Sequence, residues 1–277
     1  MQISPVYSNY SFKANFLKKP SIQPKQELLE GQIMRDGEIF NRHSSYYFRD
    51  DLHWKKFGKY LVNKYQSIPK VNTYIWGCAN GEEAYTMAML LKHLFKADNK
   101  KFLPIHAMDI EEHLIKKNKN FQEKGFFVSD VELFKMKDVL GVLPYSEDLY
   151  KYCLPVGCLG YRFRDDIINS VEFSQSNILT GLDRIDSNIP SIVMCRNMWP
   201  YIDGRKYDNY LRKLHSKLSP NSIVVIGSYD VDGDNMPFSR DFPKSLTKNG
   251  FIPVKGMLND AHCFWFTPNN ATLVYEK

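Results

Sequence analysis

Nowhere in the 277 residues is there a run of about 20 apolar residues, so no membrane insertion is expected. The N-terminus, MQISPVYSNYSFKANF, has no apolar stretch behind a basic start. It does not read as a secretory leader, and the cytoplasm is the expected compartment. Cysteine is scarce and scattered: Cys78, Cys153, Cys158, Cys195 and Cys263. An odd number without a spacing pattern argues against a disulfide framework. Only Cys153 and Cys158 are close, and no second Cys/His pair stands at zinc-ligand spacing, so no metal is expected. DVDGDN (230–235) fails as a calcium loop, because its glycine falls too early and no Glu closes it. His106, His113 and His215 fall within expected strands or helices without partners. No repeat or low-complexity segment is visible.

The chain is long enough for one large α/β domain with a small helical addition. Charge is unevenly spread. Residues 10–70 hold twelve Lys/Arg against six Asp/Glu, which equals the whole chain's surplus of +6 and leaves the remainder neutral. A basic front end on a neutral body suits an acidic partner, whether anionic protein, nucleic acid or phosphate; a solvated lysine-rich surface explains the charge equally well.

Residues 1–30 are polar, carry three prolines and read as a tail or arm. Residues 31–70 read as a short, basic helical region. Within it Trp54, Phe57, Leu61 and Tyr65 recur on one helical face, with Lys55, Lys56 and Lys59 on the other. From residue 71 onward, short apolar runs alternate with helical stretches. Strands are expected at 72–77, 103–109, 170–176, 191–195 and 222–228, and helices at 82–97, 111–123 and 204–218. The alternation implies βαβ units and a parallel sheet covered on both faces. FIPVKG, HCFWFTP and ATLVYEK can supply its last strands, and 125–168 reads as an insertion between the second and third strands.

Three segments carry chemistry. In TYIWGCANGEEAYTMAMLLKHLF (73–95) a strand runs through Gly77 and Gly81 into a helix, where glycine permits a tight turn and close approach to a nucleotide-like cofactor. The spacing differs from the dinucleotide fingerprint. Glu82 and Glu83 follow at once; they would repel a pyrophosphate but suit a cation, and they also suit a helix N-terminus. Asp109 ends the second strand, where an acid can accept both ribose hydroxyls or cap the next helix. In VMCRNMWPYID (193–203), Arg196, Asn197 and Tyr201 follow the fourth strand, at the exit facing a cofactor's reacting end. Asn197–Tyr201 also loosely matches the Asn-Pro-Pro-Tyr loop of nucleic-acid amine methyltransferases, with one residue too many and a single proline.

Taken together, the motifs resemble the CheR-type family, the S-adenosylmethionine-dependent chemotaxis-receptor glutamate O-methyltransferases. NRHSSYYFRD (41–50), GCANGEEAYTMAMLL (77–91), AMDI (107–110), YRFRDDIINSVEFSQSNIL (161–179), VMCRNMWPYID (193–203) and LRKLHSKLSPNSIVVIGSYD (211–230) occur in family order. The resemblance implies a Rossmann-like class I methyltransferase with a mostly parallel seven-stranded sheet, here over 71–277. It implies S-adenosyl-L-methionine as cofactor. Arg49 would bind its methionine carboxylate, with Ser45 and His43 beside it. Glu82 or Glu83 would take the ammonium, in the loop that begins at Gly77 and Gly81, and Asp109 the ribose. Asn177 and Ile178 would frame the adenine, Arg196 and Asn197 would lie near the cofactor, and Tyr201 would stand at the methyl-transfer site. Several positions depart from the family: His43 replaces Asn, Asn80 and Ala84 replace Thr and Pro, Asp230 replaces Glu, and Lys64 is the nearest substitute for a catalytic-site arginine. The implied partner is an acidic protein acceptor. Nucleic acid or a small molecule, or cofactor binding without turnover, are the alternative expectations.

Overall fold

The computed structural model describes residues 34–35, 38–39, 45–124, 127–128, 130–144, 146–156, 160–231, 242–259 and 271–277. The tail expected at 1–30, His43, most of DVDGDN and the strand expected in HCFWFTP lie outside them. Among the described residues of the N-terminal region, helix is confined to one stretch. Met34–Arg35 (β1) and Glu38–Ile39 (β2) pair antiparallel, and helix α1 covers only Trp54–Tyr65. Asp36 and Gly37, between the two strands in sequence, form a strong hairpin signal that outweighs the helical reading there. Where the helix does form, the expected face holds: Trp54, Phe57, Leu61 and Tyr65 are buried, and Lys55, Lys56 and Lys59 are exposed.

The central sheet has seven strands in the order β11-β12-β10-β9-β3-β4-β8. They are β3 (Asn72–Trp76), β4 (Ile105–Asp109), β8 (Val171–Gln175), β9 (Ser191–Met194), β10 (Ile223–Val225), β11 (Ile252–Val254) and β12 (Val274–Glu276). Strands β10, β9, β3, β4 and β8 are parallel throughout, while β12 runs antiparallel to both its neighbours. The chain starts in the middle at β3, fills one side with β4 and β8, then crosses back to β9. The C-terminal ends of β3 and β9 therefore flank a switch point, the place where open α/β sheets hold their ligands.

Register decides which side chains meet which helices. Ile75, Ala107 and Phe173 are aligned across three strands and share a face, and Phe173 lies 6.0 Å from Tyr85 of helix α2 (Glu82–Phe95). Tyr74 and His106 share the other face, ring to ring at 5.4 Å. There the Tyr74 hydroxyl donates to the carbonyl of Arg184, just past helix α6 (Ile178–Asp183). Helix α3 (Glu112–Lys124) packs beside β4 and β8, and α7 (Tyr207–Lys217) joins α6 to α8 (Phe242–Lys248). The sheet is thus covered on both faces, as a parallel sheet requires. No helix among the described residues is long and apolar enough to cross a membrane.

Within 125–168 the chain forms helix α4 (Asp130–Leu140) and a small antiparallel sheet. Its strands are β5 (Phe127–Val128), β6 (Cys153–Pro155) and β7 (Tyr161–Phe163), with β7 in the middle. This unit is anchored by Phe163 of β7, whose ring stands 5.3 Å from Tyr85 and 5.5 Å from Tyr47. Its helix, α4, contacts α1.

The turn from β3 into α2 has little room for side chains. Gly81 has φ +88°, and a Cβ there would sit 2.9 Å from the Phe173 ring. Gly81→Ala should therefore cost about 1–3 kcal/mol through the left-handed backbone and the contact together, measured as a fall in the urea midpoint.

Candidate functional site

The C-terminal edge of the sheet brings together residues far apart in sequence. After β3 the chain passes Gly77 (φ +66°), Ala79 (φ +45°) and Gly81 before entering α2. This loop is clamped by Asp109 at the end of β4. One carboxylate oxygen of Asp109 accepts from the Ala79 N–H at 2.9 Å and the other from the Glu111 N–H at 3.0 Å. Asp109 thus has the capping role expected at the start of α3, and it also buttresses the glycine loop, which was not expected. Asn118 of α3 adds a bond from Nδ2 to the Ala79 carbonyl at 2.8 Å.

Asn177 and Ile178 stand beside Asp109 at the exit of β8, where the Ser176 N–H donates to the Asp109 carbonyl at 2.9 Å. Asn177 caps α6 through its side-chain oxygen, which accepts from the Thr180 N–H at 2.9 Å, and Thr180 reaches back to the Asn177 N–H. This reciprocal cap fixes the turn without regular pairing.

At the start of α2 the two adjacent glutamates meet different fates. Glu83 is 8% exposed, and its carboxylate is held by Nη1 of Arg196. Glu82 accepts from Ser45, yet its Oε2 is buried and has no hydrogen-bond partner. Burial pushes the Glu82 carboxyl up to about 7, partly offset by its own backbone N–H and Ser45, with Glu132 of α4 adding to the rise. An orphaned buried carboxylate oxygen is costly and awaits a donor. A ligand ammonium would supply both the donor and the opposite charge. Of the two carboxylates, therefore, Glu82 fits the cation and Glu83 is already spent on Arg196.

Arg196, expected beside a cofactor, is instead sealed inside the protein with 1% of its side chain exposed. Its Nη2 binds Asp51, its Nη1 binds Glu83, and its guanidinium carbon lies 5.4 Å from the centre of the Trp54 ring. The other oxygen of Asp51 accepts from the Ser228 N–H at 2.8 Å. Asp51 was not singled out by sequence reasoning: it lies just past the 41–50 motif that holds Arg49, and nothing in local spacing shows that it meets a residue 145 positions away.

Asn197 is held at φ +58°. Its N–H donates to Asp230 at 2.6 Å, and its side-chain oxygen accepts from the Tyr229 N–H at 2.9 Å. The Asn197 side chain fills the space where a Cβ on Gly227 would lie, so that position excludes any larger residue. Fully buried Asp230 also accepts from the N–H groups of Trp199 and Gly227 at 3.1 and 2.7 Å. Even with these three donors, burial pushes its carboxyl up to about 7. Asp230, in place of the family glutamate, thereby ties the exit of β9 to the exit of β10. Tyr201, half-exposed, ends the short turn Trp199–Tyr201 that this clamp supports.

Lys64 lies elsewhere. Its ammonium pairs with Glu276 at 2.8 Å, and Glu276 is aligned with Ile223, the first residue of β10. That is the N-terminal edge of the parallel strands, opposite the site. The helical repeat on α1 fixed which face Lys64 occupies, but not that α1 runs from the site down to the far edge. Among the described residues, no group of three or more His, Cys, Asp or Glu is arranged to hold a metal ion.

Removing the cation from this centre should be costly. Arg196→Met leaves Asp51 and Glu83 buried without a counter-charge, and a loss of about 3–5 kcal/mol is expected in equilibrium unfolding.

Comparison with known proteins identifies the family. The family model for CheR methyltransferase, SAM binding domain, matches residues 43–242. A chemotaxis protein methyltransferase of Borreliella burgdorferi is 24% identical over 251 residues, covering 88% of this chain and 81% of that protein. Chemotaxis protein methyltransferase 2 of Vibrio cholerae is 28% identical over 156 residues, 55% of this chain and 49% of that one. Among solved structures, the trans-methyltransferase CalH in complex with SAH aligns with a TM-score of 0.46 at 13% identity, covering 79% of this chain and 55% of that chain. A glycine turn buttressed by an acid at the next strand, a buried carboxylate open to a cation, and a family match over well over half the chain lead to one conclusion: this protein belongs to the CheR methyltransferases and is an S-adenosylmethionine-dependent enzyme.

Proposed function

We propose that the protein transfers a methyl group to a glutamate carboxylate of an acidic protein partner. The observation that carries this reading is the exposed basic face of α1, Lys55, Lys56 and Lys59, on a helix whose first residue, Trp54, packs against Arg196 beneath the site. The acceptor would approach along that face, and the names of the relatives from Borreliella burgdorferi and Vibrio cholerae point to the same chemistry.

In this reading Arg49 takes the methionine carboxylate of the cofactor, and Glu82 with Ser45 takes its ammonium. Asp109 takes the ribose, and Asn177 and Ile178 border the adenine. Asn197 shapes the wall beside the cofactor, and Tyr201 orients the acceptor. His43 keeps its assignment by resemblance alone, and Lys64 has no part in the site. The cofactor supplies an electrophilic methyl group on a sulfonium. A glutamate acceptor, with an ordinary pKa of about 4.3, is ionised at neutral pH and needs no base. The protein's task is then alignment, which can be worth up to roughly 7–11 kcal/mol of barrier. The rigid turns at the ends of β9 and β10 serve that task.

Two outcomes are expected. Cofactor binding should depend on pH through Glu82. Its carboxyl holds its proton up to about 7 in the free protein, whereas the ammonium selects the ionised form. S-adenosylhomocysteine should therefore bind more tightly as pH rises from acid toward 7.5, by up to about tenfold per pH unit below that pKa. In Glu82→Gln, calorimetry should show a flat profile and an affinity loss of about 1.5–3 kcal/mol. The second outcome concerns the acceptor. Tritiated methyl transferred to acidic protein should be released by mild alkali, as an ester is. Neutralising Lys55, Lys56 and Lys59 together should raise KM for that acceptor and flatten its salt dependence while leaving cofactor affinity unchanged. Label that resists alkali, or that appears only on nucleic acid, would remove the carboxylate from consideration.

A further inference from the structure

The segment 45–53 carries Arg49 but forms only turns and one isolated bridge, Leu52 to Leu258, so its shape must come from what it touches. Phe48, immediately before Arg49, has φ +44°, a left-handed conformation that is strained for a non-glycine residue. Such a backbone persists only where its surroundings over-determine it. The Phe48 N–H donates to Thr86 Oγ1 of α2 at 3.0 Å, and its ring is buried 5.7 Å from Trp54. Trp54 in turn donates from Nε1 to the Arg49 carbonyl at 2.9 Å. Two residues further on, Asp51 binds Arg196 through its side chain, and its carbonyl accepts from the Asn259 N–H at 2.8 Å.

Arg196 is therefore the common support. It holds Asp51 by an ion pair and Trp54 by its ring face, and both of these grip the backbone around Arg49. With its other amino group it holds Glu83, the neighbour of Glu82 on the rigid first turn of α2. The adenosine side is supported differently. Asp109 is fixed by Ala79 and Glu111, and Asn177 by Thr180, with no contribution from Arg196.

We propose that Asp51, Glu83 and Arg196 are positioning residues for the amino-acid end of S-adenosylmethionine, setting Arg49 and Glu82 at a fixed separation while leaving the adenosine end independent. This rests on the reading that Arg49 and Glu82 grip the methionine carboxylate and ammonium. A purely structural ion cluster would weaken every ligand alike when broken. A positioning cluster weakens only ligands that reach the amino-acid end.

The test compares S-adenosylhomocysteine with 5′-methylthioadenosine, which has the same adenosine but no amino-acid group. Binding of each to the full chain is measured by calorimetry. Asp51→Asn should weaken S-adenosylhomocysteine on the order of 10- to 100-fold, the scale of a small misplacement of gripping groups. It should change 5′-methylthioadenosine by no more than about twofold, as expected for independent sites. Equal loss for both ligands, or none for either, overturns the proposal. Glu82→Gln is measured alongside: if it shows no selective loss, the underlying assignment of Glu82 fails whatever Asp51→Asn does. Should Asp51→Asn lack a cooperative melting transition, Glu83→Gln takes its place, since it loosens the other arm of the Arg196 cluster while its amide oxygen can still accept from Arg196. The same split is expected from it, and a uniform or absent effect is equally decisive against the proposal.

Discussion

One guanidinium, removed from water, meets carboxylates from two elements that the chain brings together only on folding. Arg196 leaves β9, Asp51 precedes α1, Glu83 begins α2, and Asp51 reaches on to the backbone at Ser228 beyond β10. The attraction of such a cluster is bought against a large desolvation cost, so its net contribution to stability is small while the penalty for breaking it is large. That asymmetry makes it a constraint more than a glue. Any arrangement that parts these elements leaves charge stranded in a dry interior.

Charge balance around the cluster extends the same logic. Asp51, Glu83 and Asp230 surround a single buried cation, two carboxylates more than neutrality needs. Burial answers by raising the Asp230 carboxyl to about 7, and its three backbone donors hold it in place in either state. Glu82, one residue from Glu83, lies outside the cluster and is left with an unpartnered oxygen. The first turn of α2 thus carries a buried carboxylate oxygen with an unmet demand for a donor. A site built in this way is pre-shaped for a cationic ligand before the ligand arrives, which reduces the ordering cost of binding.

Much of the fold could be read from the chain alone, since periodicity is a local property. Alternating apolar runs located five parallel strands, and the 3.6-residue repeat at Trp54, Phe57, Leu61 and Tyr65 located the buried face of α1. The glycine turn and Asp109 were likewise legible, because strand, turn and helix follow one another directly. Local signals also misled. A helical pattern was extended back over Met34–Ile39, where an Asp-Gly dipeptide lies between paired strands, and Lys64 was put in the place of the family's catalytic-site arginine, whereas its ammonium pairs with Glu276 at the opposite edge of the sheet.

The sequence by itself determined the α/β class, the glycine turn after β3, the acid at the end of β4 and the basic face of α1, all of which depend on residues within one or two turns of each other. Tertiary structure alone decided which of two adjacent glutamates pairs with Arg196 and which keeps an unpartnered oxygen, that Arg196 faces inward, and that Lys64 sits at the opposite edge of the sheet. These outcomes depend on pairings across 113, 145 and 212 positions. Neighbouring carboxylates are chemically equivalent along the chain; only the folded positions of the cation and of the solvent distinguish them.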